Sequence, residues 1–192
     1  MMRFHTLVFA AAMAMAGIAA SSSAAPQAAA PPKATPVPPT PGASAAVSTL
    51  RNVCLPLLMG QERRAVATAA RVKMSGDEWI VPIDGRRQIE VFPPDTANPH
   101  VCEATITHRI GSQPAILSAI DAWTSALSPP LRATQFRQRS TGPDGVRTTS
   151  IWLGAIPNGQ LAVVMTELKS PNGQPEKGDL DQTSLTMTLT PG

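Results

Sequence analysis

The chain has no tyrosine and little other aromatic content, with 4 Phe and 3 Trp in 192 residues. Its core therefore rests on Val, Ile, Leu, Met and the tryptophans, the side chains that bury large apolar area. Cysteine is almost as scarce: Cys54 and Cys102 are the only two. Two such distant residues form no C-x-x-C redox spacing and no cysteine cluster for zinc. Charge of one sign is also lacking, since 16 Lys+Arg face 13 Asp+Glu for a formal net charge of +3. So small an excess argues against non-specific binding to nucleic acid or to a membrane surface. Neither a G-x-S-x-G elbow nor an S-x-x-K pair occurs, and there are 3 histidines, which removes the recognisable signatures of nucleophilic catalysis.

What is present begins with an export signal. Arg3 and His5 give a short positive start, residues 6–20 carry no charge, and Ser21, Ser22, Ser23, Ala24 and Ala25 supply a small-residue exit. An apolar run of this length falls short of a bilayer span and reads as a secretory leader cleaved after Ala24, residues 1–24. No later stretch approaches transmembrane length, and no cysteine follows the leader closely enough to carry a lipid. The expectation is a product in the periplasm or outside the cell, with no membrane span after cleavage.

Residues 25–46 form an Ala/Pro-rich linker containing Pro26, Pro31, Pro32, Pro36, Pro38, Pro39 and Pro41. Proline denies such a segment helix and ladder hydrogen bonds, so it is expected to be disordered or extended. It serves either as a tether or as an exported tail under no structural demand. Residues 47–192 then make a single domain, a size able to bury roughly two-thirds of its unfolded surface.

Within that domain Val47, Leu50, Cys54 and Leu57 recur at helical spacing. Pro56 is expected to end or kink this helix. Gly60 separates it from a second helical piece over 61–70. Residues 79–92 read as a hairpin around Asp84 and Gly85, with Ile80 opposite Ile89. Residues 101–110 alternate, placing Cys102, Ala104, Ile106, His108 and Ile110 on one face. A helix opened by Ser112 and Pro114 follows, with Ile116, Ile120, Trp123 and Leu127 along one stripe. Strands are expected over 135–140, 146–153, 161–168 and 184–190. The fold class is α+β, a mostly antiparallel sheet with helices packed on one face as two layers.

An even pair of cysteines in an exported protein is most simply a structural disulfide, here joining helix and strand. His100, Cys102 and His108 share one strand parity and invite a metal reading. The two histidines would lie about 26 Å apart along the strand, too far to share one ion, so no metal or cofactor is assigned. Glu78, Asp84, Glu90 and Asp95 form an acidic group that decorates the hairpin. Arg137 and Arg139 share a strand face, pointing away from Phe136, which is expected in the core. Arg147 joins them if Gly145 forms a bulge and leaves them if the register shifts by one. These arginines either solvate an open sheet face or hold the anionic or glycan groups of a ligand.

The run Arg51-Asn52-Val53-Cys54-Leu55-Pro56, a lone Trp79, and Val101-Cys102-Glu103 before a Trp-bearing helix resemble small secreted two-cysteine proteins of proteobacteria. The resemblance covers roughly residues 50–127. It implies an exported domain with a Cys54–Cys102 bridge and carries no activity with it.

Three functional classes fit. The first is a non-enzymatic binding domain of the bacterial envelope, using Arg137, Arg139 and Arg147 against an envelope protein or an anionic or glycan component, without nucleic acid. The second is a small envelope hydrolase whose catalytic acids converge only in the fold. The third is a stress or assembly factor with no small-molecule site.

Overall fold

The structure is a computed structural model that describes residues 40–143, 145–169, 174 and 179–192. The expected leader, its cleavage point and the first part of the linker lie outside the described residues. No described helix is long and apolar enough to cross a membrane.

The first helix, α1, spans Pro41–Thr49 and starts earlier than the expected domain boundary at Val47. Thr40 is its N-cap, the Oγ1 accepting from the Ala43 N–H at 3.2 Å, and Pro41 occupies the first turn, where its missing N–H costs nothing. Ala43 and Ala46 are fully buried, so the last residues of the presumed linker belong to the core. The helical run then widens into a π-helical stretch, Leu50–Cys54, and continues as α2, Leu55–Leu58. Pro56 was expected to end or kink the run, yet helix continues through it to Leu58. A proline ring clashes with the carbonyl four residues back, and the wider π turn just ahead of Pro56 relieves that contact.

Gly60, at φ +82°, makes the break before α3, Arg63–Ala70. Glu62 caps α3, its carboxylate accepting from the Arg64 and Ala65 N–H groups at 2.9 and 2.7 Å. The Arg63 guanidinium lies over the Trp79 ring, 5.7 Å from its centroid. The fourth helix, α4, spans Gln113–Ser125; Ile116, Ile120 and Trp123 are buried and Leu127 packs half-buried beside them, as their spacing predicts.

The strands are β1 Lys73–Ser75, β2 Glu78–Asp84, β3 Arg87–Phe92, β4 Val101–Arg109, β5 Arg132–Gly142, β6 Gly145–Ile156, β7 Gly159–Lys169 and β8 Leu180–Pro191. They form one 8-stranded sheet in the order β1-β2-β3-β4-β8-β7-β6-β5, with every paired neighbour antiparallel. The β2–β3 hairpin departs from the expected register: Val81, not Ile80, faces Ile89, and Ile80 faces Glu90. Asp84 pairs with Arg87 around Gly85 and Arg86, and a register shift between Pro82 and Asp84 moves the pairing by one.

One sheet face supplies the core. Cys102, Ala104 and Ile106 of β4 lie opposite Met187, Leu185 and Thr183 of β8, and all are buried. Those β8 residues face Val163, Met165 and Glu167 of β7. These apolar positions and the buried residues of the helices form one cluster. Cys54 and Cys102 are bonded as a disulfide, with Cα atoms 5.5 Å apart and both residues fully buried. Ile110 lies past the end of β4 and is exposed, and Phe136 on β5 is 54 % exposed where a core position was expected.

Candidate functional site

The inner sheet face changes character along the strands. The row Cys102–Met187–Val163–Trp152 is apolar, whereas Ile106–Thr183–Glu167–Thr148–Arg139 runs from the core to a charged edge. Strict alternation puts each member of that row on the same face, so the register alone carries polarity outward to β5. At its outer end Arg137, Arg139, Val146, Thr148, Glu167 and Lys169 line an open recess of about 340 Å³.

Arg137 reaches this recess by an irregular route. The β5–β6 register shifts between Gln135 and Gln138, and Arg137 sits there at φ +51°, a left-handed conformation that non-glycine residues seldom adopt. Its backbone N–H donates to the Ser150 Oγ at 3.0 Å, and Ser150 is buried. That bond accompanies local backbone strain, and Phe136, on the face opposite Arg137 and Arg139, projects into solvent.

The charges of the recess are unequally satisfied. Lys169 Nζ lies 3.6 Å from Glu167 Oε1 and 3.9 Å from Asp181 Oδ2, and both carboxylates are buried. The guanidinium groups of Arg137 and Arg139 have no ion-pair partner among the described residues. Each presents a planar fork of donors that matches a carboxylate, phosphate or sugar acid. Thr148 adds a hydroxyl between them and Glu167.

Of the sequence-predicted arginines, the structure brings together Arg137 and Arg139 and separates Arg147. Gly142 pairs directly with Gly145, Thr141 with Val146 and Ser140 with Arg147, so no bulge intervenes at the turn. Arg147 consequently lies on the face opposite Arg139 and Thr148. Asp144, in that turn, lies outside the described residues. Thr148 belongs to the Thr148, Thr149 and Ser150 run expected beside the arginines, whereas Lys169 and Glu167 are not marked by the sequence. Their place follows only from the strand order β7-β6-β5, which local periodicity does not encode.

The other expected groups find structural employment. His108 is fully buried; Nδ1 is 2.9 Å from the Arg109 carbonyl and Nε2 is 2.8 Å from Thr183 Oγ1. Because a carbonyl only accepts, Nδ1 is the donor to the Arg109 oxygen, and the Nε2–Thr183 bond occupies the ring's other nitrogen. His100 is exposed, and its carbonyl accepts from the Leu189 N–H at 3.0 Å. Among the described residues no group of three or more His, Cys, Asp or Glu is placed to hold a metal. Asp84 pairs with Arg87, and Glu90 accepts from Gln88 Nε2 at 2.9 Å. Asp95 and Glu103 both line a second open recess of about 330 Å³. Asp95, however, spends one carboxylate oxygen on the N–H groups of Ala97 and Asn98, at 2.8 and 2.6 Å.

No family model matches the chain, and no curated protein or solved structure matches it either.

Proposed function

We propose that this chain is an exported, non-enzymatic binding domain of the bacterial envelope, holding the acidic groups of a partner or envelope component at Arg137 and Arg139. The observation that carries the reading is the pairing pattern of the recess. Lys169 is the shared ion-pair partner of the two buried carboxylates, while the two guanidinium groups at the rim have no such partner among the described residues and keep their donors for an outside ligand. Charge-assisted, bidentate bonds are the strong ones available to an exposed site. Arg147, on the opposite face, takes no part in this recess. A buried disulfide suits an oxidising compartment, which supports the periplasm or the exterior as the place of work. We read the architecture as two layers, helices over one face of the sheet, and we keep the kinship with small secreted two-cysteine proteins as part of the same proposal.

The test is calorimetric titration of the protein with citrate and with inorganic phosphate. The wild type is expected to bind with an affinity that falls as salt rises, since exposed charges are screened over about 8 Å at physiological ionic strength. Arg137→Ala with Arg139→Ala is expected to lose about tenfold or more in affinity. Its Tm should stay close to wild type, because exposed charges contribute little to stability. Arg147→Ala should bind as the wild type does. Undiminished binding by the double variant would remove Arg137 and Arg139 from the function.

A further inference from the structure

The sheet has two edges of very different kinds. The β1 edge is 3 residues long, whereas β5 offers 11 residues, every one of them exposed. On an antiparallel edge strand, alternate residues turn their N–H and C=O groups outward with no partner. A long edge of this kind invites a further strand unless side chains forbid it. The side chains here are selective. β5 carries Arg132, Arg137 and Arg139 and no acidic residue. An antiparallel second copy of β5 would bring the arginines of both strands onto one face as near neighbours, and like charges held close across a strand pair are unfavourable.

We propose that β5 receives an extended segment of a partner protein, acidic at alternate positions, as an added antiparallel strand. The proposal rests on the anion-binding reading of Arg137 and Arg139 and names where their ligand's carboxylates come from. The register confines regular pairing to residues 138–142, since the ladder shifts on the N-terminal side of Gln138. Two recesses flank this stretch. On the inner face is the basic one, with Arg137 and Arg139. On the outer face Gln135, Gln138, Ser140 and Thr149 line an uncharged polar recess of about 240 Å³. Side chains of an added strand alternate between these two faces. The partner segment therefore carries acidic residues at every second position and uncharged polar residues between them. Backbone hydrogen bonds supply affinity, and the alternating recesses supply specificity, as in other strand additions. The arginines repel basic strands and the bulge shortens the regular edge, which limits indiscriminate pairing.

The probe is a fluorescent, end-capped peptide alternating glutamate and threonine, titrated against the full chain and followed by anisotropy. A second peptide has the same sequence with its alternate backbone amides N-methylated, which removes the peptide's donors to β5 and keeps every charge. The expected result is binding by the first peptide, a loss of about tenfold or more on N-methylation, and slowed hydrogen exchange of the 138–142 amides on binding. Equal binding by both peptides would overturn strand addition and leave the anion reading standing. Failure of the peptides together with citrate and phosphate would overturn both. Slowed exchange of the same amides in a concentration-dependent dimer without peptide would give the edge to a second copy and overturn the proposal.

Discussion

Trp152 donates its indole N–H to Asp121 Oδ1 across 2.8 Å, a bond that ties α4 to β6. Trp152 is 1 % exposed, so its indole N–H depends on Asp121 for an acceptor within the fold. Asp121→Ala would leave a buried donor unsatisfied, at an expected cost of about 1–3 kcal/mol. Asp121→Asn keeps an acceptor oxygen in place and should recover most of the loss. Urea unfolding of the wild type and both variants measures this. Equal destabilisation by Ala and Asn would mean that the carboxylate charge, not the indole bond, holds α4 against β6.

The Cys54–Cys102 bridge spans a sequence separation of 48 and lies wholly in the core. Closing a loop of that length removes unfolded-state entropy worth about 4 kcal/mol in the chain-entropy account. Cys54→Ala with Cys102→Ala should therefore lower stability by roughly that amount, with small cavities adding to it. Denaturant unfolding under matched conditions decides the matter. A double variant within about 1 kcal/mol of wild type would show that the folded packing around these residues does not depend on the cross-link.

Much of this architecture is legible in local patterns, and the departures have identifiable causes. The β4 alternation and the α4 stripe both hold because each element buries one continuous face, and periodicity records that directly. The start of α1 was hidden by composition. Thr40 and Pro41 are an N-cap and first-turn proline, but the Ala/Pro-rich stretch before them reads as linker. The β2–β3 pairing differs from expectation by one residue because the turn lies at Gly85 and Arg86 rather than Asp84 and Gly85, a two-position change of which the bulge between Pro82 and Asp84 takes back one. Phe136 does lie opposite Arg137 and Arg139, as alternation predicts, but it is the arginines that share the core-side face, because the core does not extend to the edge strand and apolar character alone does not mark the inner face there. For the site, the pair Arg137 and Arg139 was visible on the strand. Lys169 and Glu167 were not, since they arrive through non-local strand order.

Trp123 and Phe136 offer a direct contrast between a buried and an exposed aromatic. Trp123 is 9 % exposed and belongs to the core cluster, while Phe136 stands on the free edge. Trp123→Ala should cost about 3–5 kcal/mol by removing a large buried group and leaving a cavity. Phe136→Ala should change stability by no more than about 0.5 kcal/mol. Paired melting and urea curves test both. A stable Trp123→Ala protein would mean that α4 does not depend on this side chain for docking.

The last prediction concerns pH and the start of α3. The Arg64 N–H and then the Ala65 N–H donate to the Glu62 carboxylate and hold its pKa below the ordinary value of 4.5. Both bonds favour the ionised form, so the cap is fully present above the unfolded-state pKa near 4.5. As pH falls below that value and through the lowered folded one, the carboxylate takes up a proton and the cap weakens. Hydrogen exchange of the Arg64 and Ala65 amides, corrected for intrinsic rates, should therefore lose protection as pH falls below 4.5 and through the lowered folded-state pKa. Glu62→Gln retains one acceptor oxygen but no charge, so its protection should be lower than wild type at neutral pH and flat across that range. The two proteins should converge at the acid end. A difference between them that stays constant from neutral to acid pH would show that the charge of Glu62 contributes nothing to the cap.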